Sequence, residues 1–423
     1  MPRAWQRSCS PMNFLLATIG TSGDVYPFIA IGQELQRRGH RATLVANEYF
    51  EPAAQQAGLH FISLANRQRY LDTLQKPELW DPKKGVQVLA DAVFASMEDT
   101  YRIISEADHR DTRVIASGLM FGARIAQERL GIPLTTVHLQ PAMLWSYEAP
   151  PVMAALPFPR WFPAVAKRPI LKLVDRAVLD KVLGPRTNAF RAQLGLQPVR
   201  SLYSRWLRSP ERVIGIFPDW FAEPQSDWPA QTSLTGFIRG PVSHQSNTLP
   251  ADLESFLSDG EAPVVFTAGT GMLHAKEFFV ESIKACELAG LRGVLVTPFG
   301  EQLPNDLPKF MHHCEHAAFG ELFPRAAAVV HHGGIGTIAE AIAAGKPQLI
   351  RPTSHDQPDN AARLEKLGLS ATIPAPQYQA QHAARALSAL LADATLGERC
   401  RLYSGRVDFD HSLASVCDLL VAG

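Results

Sequence analysis

Cysteine is sparse in this chain: five in 423 residues (Cys9, Cys286, Cys314, Cys400 and Cys417), an odd number with no Cys-x-x-Cys pair. A disulfide-stapled scaffold and a zinc ribbon are thereby excluded, and a reducing cytoplasm is the expected compartment. Long apolar runs are missing too, since no uninterrupted stretch approaches the roughly 20 residues of a membrane span. Neither sign of charge dominates, with 41 Lys and Arg against 41 Asp and Glu and an isoelectric point near 7.2. Neither a nucleic-acid-binding field nor an acidic solvating tail is indicated. Residues 1–11 contain two arginines but no apolar core, so they do not read as a secretory signal. They are expected to be a disordered extension, or an over-long start with Met12 as the natural beginning. Spaced metal ligands are also lacking. His312-His313-Cys314-Glu315-His316 is crowded without a partner set, and Asp408-Phe409-Asp410 reads as a solvated turn.

What is present is alternation of strands and helices. A chain of 423 residues exceeds one comfortable core, so two domains are expected. Residues 14–18 read as a strand, 27–38 as a helix with Phe28, Ile31 and Leu35 on one face, and 41–46 as the next strand. Residues 114–117, 122–130 and 134–137 repeat the pattern, and 213–217 form a late strand of the same sheet. The architecture starts over at 263–267, followed by strands at 293–297, 326–330 and 348–351. The expected division is an N-terminal domain over 12–235, a Gly-, Pro- and Ser-rich linker over 236–262, and a second domain over 263–395.

The stretch 326–367 is the most informative. Its short apolar strand leads into His331, His332, Gly333, Gly334 and Gly336, then a helix over 337–344, a strand over 348–351 and the loop Pro352-Thr353-Ser354-His355-Asp356-Gln357. Glycines let backbone N–H groups approach an anion, and a helix N-terminus adds about half a positive charge. A tight turn with core histidines would use the same residues, but the following Asp356-Gln357 loop suits sugar hydroxyls. In an open parallel sheet both loops gather at one carboxyl edge.

These residues resemble the inverting, two-domain glycosyltransferases of the secondary-metabolite and sterol type. The donor-site signature of that family is carried here by His331, Gly333, Gly336, Thr337, Gly345, Pro347, Pro352, Asp356, Gln357 and Asn360. The segment from Thr18 through Gly20-Thr21-Ser22-Gly23-Asp24 to Phe28 matches the bacterial and sterol branch. With Trp80-Asp81-Pro82-Lys83, Phe217-Pro218-Asp219-Trp220-Phe221 and Asp227-Trp228-Pro229, the chain looks most like the catalytic rhamnosyltransferase chains of rhamnolipid synthesis. The resemblance implies an α/β fold of the GT-B type, two Rossmann-like doubly wound domains facing a cleft. A C-terminal helix, residues 396–423, would cross back to the first domain. It also implies a dTDP- or UDP-sugar as co-substrate, no metal or other cofactor, and an apolar hydroxylated acceptor.

The resemblance assigns Asp24 as general base, although an Asp at a helix start also serves as a cap. His331 is expected on the diphosphate, with Thr337 and the backbone of Gly333, Gly334 and Gly336. Asp356 and Gln357 would hold sugar hydroxyls. Gly23, Gly269 and Thr270 would touch the donor, and His316 or Phe319 would stack on its base. A glutamate that relatives place eight residues after the signature histidine for the ribose is missing, the position being Ala339. That absence suits a deoxyribose donor. For the acceptor, Trp80, His138, Trp145 and Tyr147 are the candidates. The aromatic and basic stretch 141–170 is either an apolar mouth lying at the inner face of a membrane or an irregular connection. Sterols, carotenoids and polyketides would suit such a pocket as well. Two rivals come from other classes. A dinucleotide-dependent oxidoreductase needs a Gly-x-Gly-x-x-Gly that neither loop supplies, and a non-catalytic sugar-nucleotide sensor would not need Asp24.

Overall fold

The structure is a computed structural model that describes residues 11–153, 162–240 and 248–422. Two parallel sheets organise it. The first runs β3-β2-β1-β4-β5-β6-β7 and the second β10-β9-β8-β11-β12-β13. The strands of the first sheet are β1 (Asn13–Ala17), β2 (Arg41–Asn47), β3 (His60–Ala65), β4 (Thr112–Ser117), β5 (Leu134–His138), β6 (Arg212–Gly215) and β7 (Thr232–Leu234). Those of the second are β8 (Val264–Thr267), β9 (Gly293–Val296), β10 (Met311–Cys314), β11 (Ala328–His331), β12 (Gln348–Ile350) and β13 (Ser370–Thr372). Strands such as Val264–Thr267 and Ala328–His331 are buried along their whole length, as continuous apolar runs between helix layers require. Each sheet reverses its order at one point, between β1 and β4 and between β8 and β11. Loops at those points open toward a common cleft.

The first helix, α1 (Ser22–Arg37), begins five residues before the expected Pro27. Thr21 is its N-cap, and the proline sits inside the helix. Asp24 therefore belongs to the first helical turn rather than to the loop before it. The long helix α2 (Gly85–Ser105) packs on the helix Phe121–Leu130 with almost no space between the backbones. A Cβ at Gly122 would stand 2.1 Å from the Met97 carbonyl oxygen and 2.8 Å from Thr100 Cβ. Gly122→Ala is accordingly expected to cost about 3 kcal/mol of stability through overpacking, measurable by denaturant unfolding.

Two expected boundaries need correction. The span 236–262 is not all linker, because Ala251–Ser258 is a helix whose Leu253 and Leu257 enter the core of the second lobe. The C-terminal span is also divided. Ala394–Ser404 stays with the second lobe through Leu396 and Cys400, whereas the last helix, Phe409–Val421, sends Val416, Cys417 and Leu420 into the first lobe's core. Asp408 caps that last helix by accepting the His411 N–H at 2.9 Å. The proposed disordered extension lies, but for Pro11, outside the described residues.

Candidate active site

Between the lobes lies one cavity of about 860 Å³, lined by loops from both sheets. On its first wall, Asp24 projects from α1 beneath the turn Gly20-Thr21. Its Oδ2 accepts the Thr21 N–H at 2.8 Å and the Thr21 hydroxyl at 3.2 Å. The carboxylate fits only because residue 20 is glycine, with φ +134°; a Cβ there would lie 2.3 Å from Asp24 Oδ2. The capping role and the cleft-facing role thus coexist in one side chain. Asp24 keeps partial access to the cavity, yet enclosure by both lobes pushes its pKa up to about 6. Desolvation is the main cause, opposed by the Thr21 backbone and reinforced by the negative charge of Asp356.

The opposite wall is built from the ends of β8, β11 and β12. Strand β11 continues to His331, one residue beyond the expected end, and that shift reverses the two histidines. His331 is buried, its Nε2 lying 2.9 Å from Gln348 Oε1 and its Nδ1 accepting the Gly333 N–H at 3.1 Å. It does not line the cleft. Its assignment as the phosphate donor is corrected: His332 occupies that wall. A Cβ at Gly269 or at Gly334 would come within 2.7 Å or 2.3 Å of the His332 ring. These two glycines therefore clear space for an imidazole as well as for a ligand. Burial lowers the His332 pKa to about 4, so it offers a neutral N–H dipole. Gly333, with φ +93°, is a buried turn residue behind the wall. The helix α3 (Ile335–Ala343) starts at the cleft, bringing Gly334, Gly336 and Thr337 to its lining.

The same one-residue shift restores a residue thought missing. Counted from His332, the eighth position is Glu340, which lines the cleft and is held by a two-fold ion pair with Arg239 (2.7 Å each). Ala339 is buried in the core. With Glu340 at the cleft, no missing glutamate favours a deoxyribose donor.

The Asp356-Gln357 loop opens the helix α4 (Gln357–Lys366). Gln357 Oε1 accepts from the Thr353 N–H and hydroxyl at 2.9 and 2.7 Å, which fixes the loop. Asn360 donates to the Gly333 carbonyl (3.0 Å) and to Asp356 Oδ2 (2.6 Å), tying the two donor-side loops together. Burial raises the Asp356 pKa to about 6. His355, passed over in the sequence, has a left-handed φ of +58° and sets its ring 5.7 Å from that of Trp80 on the other lobe. Non-glycine residues hold such backbone only where the surroundings enforce it. Its place directly before Asp356-Gln357 was the only sequence signal.

Gly23, Gly269, Thr270, His316 and Phe319 all line the cavity, as do Trp80 and Trp145. The other two acceptor candidates do not. His138 is buried beneath Gly118 and Met143, and Tyr147 stands behind Trp145 with its hydroxyl 3.1 Å from Asp175 Oδ2. Part of the supposed aromatic mouth, residues 154–161, lies outside the described residues.

Residues 14–146 match the family profile of the glycosyltransferase family 28 N-terminal domain. Residues 295–404 match that of the erythromycin biosynthesis protein CIII-like C-terminal domain. An uncharacterized glycosyltransferase of Mycobacterium leprae is 30% identical, over 87% of this chain and 90% of its own length. The chain belongs to the GT-B glycosyltransferases. An O-mycaminosyltylonolide 6-deoxyallosyltransferase of Streptomyces fradiae is 29% identical over 97% of each chain. Among solved structures, the kitacinnamycin glycotransferase shares the fold with a TM-score of 0.74 at 18% identity, over 97% of this chain and 99% of that one. A spinosyn rhamnosyltransferase complexed with thymidine diphosphate does so at 0.66 and 18%, over 96% and 100%.

This glycosyltransferase therefore presents two carboxyls, Asp24 and Asp356, that change charge near pH 6 in one cavity. Both pKa values are raised but stay below 7, so both groups are ionised at neutral pH and lose charge already as pH falls through about 6. With Asp24 as base, kcat/KM is expected to fall roughly tenfold per pH unit below that point. A limb steeper than one proton would report both groups. A pH–rate profile, with nucleotide affinity measured at each pH, checks this.

Proposed function

We propose that the enzyme transfers a hexose, rhamnose or glucose, from a dTDP- or UDP-sugar to a hydroxyl of an apolar acceptor, with inversion at the anomeric carbon. The observation that carries this reading is the placement of Asp24 opposite His332 and Asp356 across a single cavity. Asp24 would take the proton of the acceptor hydroxyl as its oxygen bonds the anomeric carbon. The bond from that carbon to the diphosphate would break, with the electron pair leaving on the phosphate oxygen. His332 and the N-terminus of α3 would stabilise that charge without a metal. Asp356 and the amide of Gln357 would hold sugar hydroxyls, Glu340 the ribose, and Phe319 or His316 the base. Thymidine diphosphate in a fold neighbour supports a dTDP donor.

An arm of the cavity in the first lobe is lined by Leu89, Val93, Phe121, Met143, Leu183 and Tyr203, which supports a lipid-like or polycyclic acceptor. Trp80 and Trp145 each keep a buried indole N–H without a partner among the described residues, suited to a polar atom on that acceptor. The test is thermal-shift titration with dTDP, UDP and their hexoses, then product analysis with hydroxylated lipids and polyketide aglycones. Stabilisation by a nucleotide diphosphate and a new glycoside are the expected results. A protein that binds no nucleotide sugar, or binds one and never transfers it, would sink the proposal.

A further inference from the structure

The balanced charge of the whole chain conceals a strongly basic segment. Residues 151–208 contain eleven Lys or Arg and two acids, an excess of nine cations that an excess of nine acids elsewhere offsets. Neither acid is free, one being buried and the other held by backbone N–H groups at the edge of a groove, while Arg191 and Arg208 among the cations are buried too. Asp175 is 1% exposed, and Asp180 accepts the Ser201 and Leu202 N–H groups at 2.8 and 2.9 Å. Within it, Ala164–Val174 and Asp180–Gln193, joined by the wide turn Asp175–Leu179, form one helical rod.

Along this rod Arg168, Lys172, Arg176 and Lys181 are all exposed, spaced by four, four and five residues. The five-residue step falls on the wide turn, whose hydrogen bonds span five residues, so the cations stay on one stripe. Leu173 and Val178, 65% and 51% exposed, stand among them with the same five-residue step. Arg168, Arg176, Lys181 and the nearby Arg200 form no ion pair among the described residues. A groove of about 610 Å³ bounded by Arg176, Lys181 and Arg200, with Asp180 also on its wall, runs beside the stripe. The opposite side of the rod supplies Val174, Leu179 and Leu183 to the apolar arm of the cleft.

We propose that this outer face docks on an anionic lipid bilayer, its cations meeting lipid phosphates while Leu173 and Val178 enter the headgroup boundary. Two bare aliphatic side chains inside a cationic stripe suit a lipid interface better than a nucleic-acid backbone, which offers nothing apolar to bury them. The rod then separates the membrane from the acceptor arm by a single helix, a short path for a lipid-like substrate. That use rests on the proposed acceptor; the surface does not.

The test is flotation of the purified chain with vesicles of phosphatidylcholine, and with vesicles in which phosphatidylglycerol replaces about a third of it. Binding to the anionic vesicles is expected to exceed neutral binding at least about tenfold and to fall with added salt. Arg176→Glu with Lys181→Glu should lower it by about tenfold or more, and Leu173→Asn several-fold; Lys172 is left in place because its ammonium also lies over the Tyr147 ring, 5.8 Å from the centroid. Thermal unfolding and nucleotide affinity should stay unchanged in these variants. Equal or absent binding to the two compositions, a charge-reversed variant that binds as tightly as the parent, or displacement of vesicles by equimolar RNA would overturn the inference. Because flotation needs no turnover, failure of the proposed reaction and failure of this docking are separate results.

Discussion

Asp24→Asn is expected to lower kcat/KM by about 10³-fold, the scale of losing a positioned general base, while affinity for a nucleotide diphosphate stays within about twofold. Asparagine is the informative replacement because Asp24 does two jobs. Its carbonyl oxygen can still accept the Thr21 N–H beneath Gly20, so the helix cap, a contribution of about 1 kcal/mol, survives. What disappears is the ability to take a proton at a site where desolvation has raised the pKa to about 6. Such a base is ionised at neutral pH yet more basic than a free carboxylate. Asp24→Ala should lose both functions, so a larger drop in melting temperature in that variant alone would separate cap from base. Near-full turnover by the asparagine variant would assign the proton to another group. A parallel loss of nucleotide binding would make Asp24 a strut of the cleft instead.

Most of the fold was legible because both sheets are parallel and buried. Apolar runs such as 263–267 and 326–330 leave few alternatives, and the nine strands expected agree to within one or two residues at most ends, whereas β3, β7, β10 and β13, which carry fewer apolar residues or lie at sheet edges, carry no such signal. Legibility failed where one residue matters. In a strand, neighbouring side chains face opposite ways, and β11 keeps His331 as its last residue, facing the core, so that His332 just beyond it faces the cleft. The ribose position moved with it, from Ala339 to Glu340. Helix α1 starts five residues before Pro27, because a proline is tolerated within the first turns as well as at the first helical position. The actual signal was Thr21 followed three residues later by Asp24, an acidic variant of the capping pattern. His138 and Tyr147 were misplaced for another reason. Whether an aromatic or a histidine near a strand end faces a cavity depends on packing from distant segments, here Gly118, Met143 and Asp175. The left-handed backbone of His355 and its contact with Trp80 are tertiary facts with no local signature.

The two histidines supply the second large expected effect. His332→Ala should lower kcat by about 10²- to 10³-fold, near 3 kcal/mol of transition-state stabilisation, and weaken nucleotide-diphosphate binding, with the fold intact. His331→Ala should do the reverse. It would strip the partner from Gln348 Oε1 and from the Gly333 N–H, both buried, at a cost of about 2 kcal/mol. Because Nδ1 accepts a hydrogen bond, the ring proton must lie on Nε2, pointing at Gln348 and away from any phosphate. Activity of this variant should therefore decline mainly through loss of folded protein and loosening of the turn before α3. Denaturant unfolding beside steady-state kinetics distinguishes the two. The opposite pattern, a stable but inactive His331→Ala and a nearly normal His332→Ala, would mean that the strand ends one residue earlier and that the sequence register, not the structural one, faces the ligand.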